Sequence, residues 1–212
     1  MRGKMGVVFF CRKASGTEAE MKTGGWTRDG LWARVARAIA CVGVVATMSA
    51  QPGWAAKTAM PASFKPLTKV GERMPAFTVK EVSGNTFSMA EERGKVVVVN
   101  LWATWCPPCR LEMPRLEKEI WEKYRGNPDF AMVAIARQQT RATIATFAQQ
   151  HREFTYPLAY DPQRAVYSKF AAAGIPRSYV VGKDGKIVFQ SLGYEKGEIH
   201  KLNAAIAKAL RE

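Results

Sequence analysis

The apolar residues of this chain follow two different periods, and the changes between them mark out its elements. Two short runs, Phe77 to Val82 and Thr86 to Met89, flank Ser83-Gly84-Asn85 and predict a hairpin. Val96 to Trp102 reads VVVVNLW, apolar throughout except for Asn100, the pattern of a central strand covered on both faces. A helix is predicted from Pro107 to Tyr124, with Leu111, Leu116, Ile120 and Tyr124 at helical spacing and Glu112, Glu117, Lys118 and Lys123 on its other faces. Pro107 suits the first helical turn, where no N–H is needed, whereas Pro114 should kink the helix. Phe130 to Ala136 reads as a second buried strand, Thr143 to His151 as a helix, Tyr156 to Ala159 as an extended piece and Arg164 to Ala172 as another helix. Ser178 to Val181 and Ile187 to Leu192 form a hairpin around Lys183-Asp184-Gly185-Lys186, and Glu198 to Leu210 closes the chain as an amphipathic helix. Strand, helix, strand, helix, hairpin, helix implies an α/β sandwich whose mixed sheet is parallel early and antiparallel late.

The first 55 residues depart from this pattern. An apolar run, Ala38 to Ala50, follows Arg34 and Arg37 and precedes small residues. It is shorter than the roughly 20 residues that span a bilayer, and its flanks are those of a secretory signal peptide. Gly53 and Ala55 suit a cleavage site that would release a chain from Ala56; cleavage after Ala50 is the alternative, and an uncleaved membrane anchor a second one. The basic region is long for a signal, and Met21-Lys22 would make a more usual start. The apolar run follows Cys41 rather than preceding it, which argues against lipidation. Residues 56–67 read as a linker and 68–212 as one domain.

Charge and cysteine count change meaning once this leader is set aside. Of the net +14, the first 56 residues carry eight basic and three acidic groups, which leaves +9 for the remainder. No basic tract interleaved with aromatics accompanies that charge, so nucleic-acid binding has no support; solubility, or attraction to anionic membrane or acidic partners, explains it. Cys11 and Cys41 leave with the leader, so a four-cysteine zinc site is excluded and Cys106 and Cys109 remain.

Those two sit in Trp105-Cys106-Pro107-Pro108-Cys109, after a predicted strand and at the start of a predicted helix. A thiol at a helix N-terminus faces unpaired N–H groups and the positive end of the helix dipole. Both favour the thiolate and lower its pKa from about 8.5 into the range of about 3.5–7.5. A cysteine three residues later shares its helix face and can close a small disulfide ring. The two prolines remove donors and stiffen that ring. Thiol–disulfide exchange follows: Cys106 attacks, and Cys109 resolves the mixed disulfide. Half a zinc site would need further ligands, and His151 and His200 lie far apart in sequence. A purely structural disulfide would stabilise little across so small a loop.

The segment Asn100-Leu-Trp-Ala-Thr-Trp-Cys-Pro-Pro-Cys-Arg-Leu-Glu-Met-Pro114 resembles the active-site segment of the thioredoxin fold, and most of all the exported TlpA/ResA-type thioredoxins. The resemblance runs from about residue 68 to 210 and takes in Gly71-Glu-Arg-Met-Pro75, Asp161-Pro162 and Gly174-Ile175-Pro176-Arg177. It implies a thioredoxin-like three-layer sandwich, a mixed central sheet with helices on both faces. Pro176 matches the family's cis-proline opposite the cysteines, where substrate backbone docks. Ile175 would then offer backbone groups, Arg177 a positive rim, and Trp105, Pro107 and Pro108 would complete the substrate-binding surface. Trp105 would shield the disulfide, while Trp102 reads equally well as core.

Two departures concern proton handling. The buried Asp of cytoplasmic thioredoxin is Asn100 here. The carboxylate that ResA-type members place after the second strand aligns roughly with Gln138 or Gln139. Solvent or Glu112 could substitute, although the position of Glu112 reads more simply as a solvated helix site. The resemblance further implies a periplasmic reductant kept reduced by a membrane thiol carrier, acting on protein thiols and disulfides such as those of apocytochromes c. No cofactor is expected beyond the Cys106–Cys109 disulfide, and no metal. The rivals are a periplasmic disulfide oxidant, a thiol-based copper chaperone, which would usually pair a longer cysteine spacing with a nearby His, and a peroxidase, which would need a peroxidatic Pro–Thr–Cys arrangement.

Overall fold

All seven residues of Val96–Trp102 (β3) are buried, and the sheet is built outward from this strand in both directions. On one side Phe130–Arg137 (β4) pairs with it in parallel, Val96 opposite Phe130 through Trp102 opposite Ala136. On the other, Arg177–Val181 (β6) runs antiparallel, with Asn100 opposite Ser178. Leu158–Asp161 (β5) adds in parallel to β4, Ile187–Leu192 (β7) antiparallel to β6, and the hairpin Thr78–Glu81 (β1) and Thr86–Ser88 (β2) closes the far edge. The strand order is β2-β1-β5-β4-β3-β6-β7, a mixed sheet with the expected change from parallel to antiparallel pairing. These statements come from a computed structural model that describes residues 61–212. The leader, Met21, Cys11, Cys41 and both candidate cleavage points lie outside the described residues. Among the described residues no helix is long and apolar enough to cross a membrane.

The two-residue period of β3 sorts the core into two layers. Val96, Val98 and Trp102 face a layer of helices, whereas Val97, Val99 and Leu101 face the opposite side. The helical layer consists of Pro107–Arg115 (α1), continued through a π-helical stretch, Leu116–Trp121, into Glu122–Tyr124 (α2); then Arg141–Gln150 (α3) and Glu198–Ala209 (α4). Pro114 has no N–H to give and crowds the preceding turn. The expected kink appears here as the wider π turn that begins two residues later.

The sequence pattern misassigns the faces of this helical run. Leu111, expected inward, is 67% exposed, and Glu112 and Glu117, expected on other faces, are buried. The inward stripe is Cys109, Met113, Leu116, Ile120 and Tyr124, so the second cysteine rather than Leu111 sets the phase.

The opposite layer is thinner than the predicted helix Arg164–Ala172 would make it. Only Tyr167–Lys169 is helical, one turn of 3-10 helix among Phe77, Phe87, Phe170 and Tyr179. Arg164 has a left-handed φ of 60°, which no right-handed helix admits. The N–H groups of Val166 and Tyr167 are taken by Asp161 Oδ2 at 3.0 and 2.8 Å.

The later part of the expected linker is docked on this same side. Leu67 N–H donates to the Phe170 carbonyl at 2.8 Å, and Pro66 bridges to Ala171. Phe64 lies against Gly174, whose φ is +88° and where an added Cβ would come within 2.8 Å of the Phe64 ring and of Leu192.

Candidate active site

Cys106 is the N-cap of α1, with extended backbone (φ −94°, ψ 105°), because Ala103-Thr104-Trp105 must turn the chain out of β3 before the helix can start. The first two helical positions are Pro107 and Pro108, so neither has an N–H. The first N–H that α1 can offer belongs to Cys109, and it points at Cys106 Sγ, 3.3 Å away. The prolines thus focus the electropositive helix end onto one donor and one sulfur. Cys106 and Cys109 are joined in a disulfide, with Cα atoms 5.3 Å apart. In this oxidised form Cys106 is 3% accessible and Cys109 fully buried.

Opposite the pair, the Ile175–Pro176 peptide is cis and the Ile175 carbonyl oxygen lies 3.8 Å from Cys106 Sγ. Pro107 and Trp105 are exposed beside them, Pro108 and Ile175 half-buried and Pro176 buried. Trp102 is core, packed on Phe147 with ring centroids 4.9 Å apart, whereas Trp105 stands 57% exposed at the rim. Arg177 does not form the positive rim expected of it. It is 2% accessible, and its guanidinium donates to the carbonyls of Gly174 (3.0 Å), Ala173 (2.8 Å) and Phe64, bracing the cis-proline loop from behind. Arg177 belongs to β6, a strand buried along its whole length, so its charge had to be satisfied internally.

The proposed proton-handling residues separate into two places. Gln139 accepts from Thr104 N–H at 2.8 Å and donates to Thr104 Oγ1 at 2.6 Å, fastening the turn that leads to Cys106. Gln138 is exposed, with a left-handed φ of 56°. Asn100 and Glu112 do meet. The two-residue period of β3 aims Asn100 at the helical layer, and Glu112, one turn after Cys109, comes down onto it. Asn100 Nδ2 donates to Glu112 Oε2 and to Ser178 Oγ, both at 2.9 Å, and Ser178 Oγ donates to Glu112 Oε1 at 3.1 Å. Glu112 is therefore not a solvated helix position: it is 1% accessible. Burial pushes its carboxyl up to about 7, against the lowering pull of the Asn100 and Ser178 hydrogen bonds. Ser178 was not foreseen. Its signal was its place two residues beyond Pro176, one strand away from Asn100.

The arrangement can exchange disulfides. One sulfur lies at a helix end, a second is buried behind it, a backbone carbonyl lines the approach, and a buried carboxyl lies one turn below. Known proteins agree with this chemistry. The Redoxin family profile matches residues 69–206. The thiol-disulfide oxidoreductase ResA of Bacillus cereus is 28% identical over 130 residues, 61% of this chain and 73% of that protein. The thioredoxin-like protein YneN of Bacillus subtilis is 31% identical over 120 residues, 55% of this chain and 68% of that protein. Among solved structures, a candidate protein disulfide isomerase from Bacteroides thetaiotaomicron superposes with a TM-score of 0.67 at 36% identity, covering 71% of this chain and 95% of that one. A thiol:disulfide interchange protein of Chlorobium tepidum gives 0.55 at 26% identity, covering 68% and 98%. With the sheet order, the cysteine pair and the profile in agreement, the chain belongs to the Redoxin family, as a thioredoxin-fold thiol–disulfide oxidoreductase of the TlpA/ResA-like kind.

Proposed function

We propose that the protein is exported and reduces protein disulfides outside the cytoplasm. Its substrates would be of the kind whose thiols must be free for later chemistry, such as the haem-attaching cysteines of apocytochromes c, and a membrane thiol carrier would return it to the dithiol form. The observation that carries the exchange chemistry is the Cys106–Cys109 pair at the start of α1, with the buried Glu112 carboxyl one helical turn from the resolving cysteine. Cys106 thiolate attacks one sulfur of the substrate disulfide; that S–S bond breaks and the departing sulfur takes a proton. Glu112 carboxylate then accepts the Cys109 proton, and Cys109 attacks Cys106 Sγ. The mixed disulfide breaks and the second substrate thiol leaves, protonated from Glu112 or solvent. Two electrons and two protons reach the substrate, and the Cys106–Cys109 disulfide is left behind. The leader composition supports export, and the resemblance to ResA-type proteins supports the reducing direction.

Equilibration with glutathione redox buffers tests the direction. A potential towards the thioredoxin end, about −270 mV, is expected; one near the strongly oxidising end, about −120 mV, would make the protein an oxidant. In the same assay Cys109→Ser should accumulate mixed disulfide with substrate, and Cys106→Ser should not.

A further inference from the structure

The loops that leave β4 and β5 meet beside the cysteines, where they hold a pair of arginines that the exchange reaction leaves unused. Arg137, the last residue of β4, places its guanidinium 5.7 Å from the Trp105 ring centroid and 4.5 Å from that of Tyr167. Arg164 lies over the same Tyr167 ring at 5.1 Å. Trp105 stands exposed at the rim of the substrate approach, whereas the Tyr167 ring is fully buried beneath the guanidiniums. Trp105 precedes Cys106, and the Tyr167 hydroxyl donates to the Gly174 carbonyl at 2.8 Å, in the loop that carries Ile175 and Pro176. The arginine pair thus sits where the cysteine wall and the cis-proline wall converge.

The corner is held in an unfavourable backbone conformation. Gln138 and Arg164, at φ 56° and 60°, are the non-glycine residues with left-handed backbone among the described residues, and both are here. Their N–H groups converge on the Asp161 carbonyl at 2.8 and 3.2 Å. Such conformations persist only where surrounding structure enforces them, and they cluster at functional sites. The corner also lies outside the carboxyl ends of parallel strands, the usual ligand position in sheets of this kind.

The charges in this corner have little to neutralise them. Arg137 Nη2 reaches Gln138 Oε1 at 2.8 Å and Arg164 Nη2 the Ala172 carbonyl at 2.5 Å, and both Nε atoms are buried without an acceptor. Among the described residues neither guanidinium is within ion-pair distance of a carboxylate. The nearby Asp161 carboxylate is 4% accessible and turned to the Val166 and Tyr167 N–H groups. Two half-buried guanidiniums, each packed on the Tyr167 ring and each with neutral partners, are suited to receive a planar anion.

We propose that Arg137 and Arg164 select substrate proteins that carry an aspartate or glutamate beside the cysteine under attack, docking that carboxylate while the neighbouring sulfur lies against Cys106. The proposal rests on the reading of the protein as a disulfide reductant and adds sequence preference to it. The test uses the reduced full-length protein and disulfide-linked peptides that differ at one residue beside cysteine: Asp, Asn or Lys. At low ionic strength kcat/KM for the Asp peptide should exceed that for the Asn peptide by about five- to tenfold, with Lys lowest. The ratio should contract as salt screens it. Arg137→Gln and Arg164→Gln should each bring the Asp-to-Asn ratio towards one, a quantity that a general change in reactivity does not move. Arg152→Gln, exposed on the loop after α3, should leave the ratio intact. Equal rates for all three peptides, or an unchanged ratio in both arginine variants, would overturn the proposal. Failure to reduce even the Asn peptide would instead overturn the reading of the protein as a disulfide reductant.

Discussion

Glu112 and Glu117 sit five residues apart on one helical run, and both are buried, yet the protein treats them in opposite ways. Glu117 lies in the π-helical stretch and is fully engaged: Thr155 N–H and Thr155 hydroxyl donate to it at 2.7 and 2.5 Å, and Tyr156 N–H at 3.4 Å. Two of its three donors are backbone groups that cannot turn away, and together they tie α1's continuation to the segment entering β5. Glu112 receives only an amide and a hydroxyl from side chains, under a burial penalty strong enough to bring its carboxyl to about 7. Backbone donors fix a carboxylate as a structural anchor. Side-chain donors in a dry site leave a carboxyl that can gain and lose a proton at working pH.

Glu112→Gln would give the largest effect expected from this contrast. The carboxylate form predominates above pH 7, so the wild-type rate of resolving the mixed disulfide should climb as pH rises through 7. The Gln variant should lose that inflection and resolve about 10²-fold more slowly, as followed by stopped-flow release of substrate thiol. Persistence of the inflection in the variant would show that another group takes the proton.

Stability should carry the same signature with the opposite slope. Glu112 ionises near 4.5 when unfolded and about 7 when folded. Between those values the folded protein keeps a proton that the unfolded chain has lost. The contribution is therefore complete below about pH 4.5 and disappears as pH passes through 7, a loss of about 3 kcal/mol in urea unfolding of the oxidised protein. Glu112→Gln should flatten this dependence. Glu117→Ala should instead lower stability by about 2 kcal/mol at neutral pH, because it leaves Tyr156 N–H and the Thr155 donors without their acceptor, while the kinetic inflection stays in place. Ser178→Ala should give the smallest change. Removing one donor to the Glu112 carboxylate should move the inflection upward by roughly half a pH unit.

The strands, the hairpin around Asp184-Gly185 and the cysteine pair were legible because each rests on a local rule: an unbroken apolar run, a turn residue, a spacing of three. The sequence marks Glu112 as a candidate proton carrier, but its burial was not legible, and the reason is one of phase. Hydrophobicity puts Leu111 inward and Glu112 outward. Burying the resolving cysteine instead makes residues three, four and seven further on its neighbours, which are Glu112, Met113 and Leu116. Chemistry, rather than apolarity, indexes this helix. Arg177 misled for a related reason, since a charged residue after the cis-proline reads as surface until the strand it opens proves buried from end to end. Arg164 to Ala172 failed as a helix because Arg164 takes a left-handed φ of 60°, and only one 3-10 turn, Tyr167–Lys169, follows it.

The contact between Phe64 and Gly174 has a practical consequence for shortening the chain. Position 174 is confined to glycine both by its left-handed backbone and by the aromatic ring that occupies the space of a side chain. The same short segment lends Arg177 one of its three carbonyls. A version trimmed to begin at Thr68 would keep every residue that touches sulfur, yet it would hollow the back of the loop that faces Cys106. Versions that begin before Pro61 retain that backing. The residues that look most dispensable in an alignment of active sites are, in three dimensions, the far wall of this one.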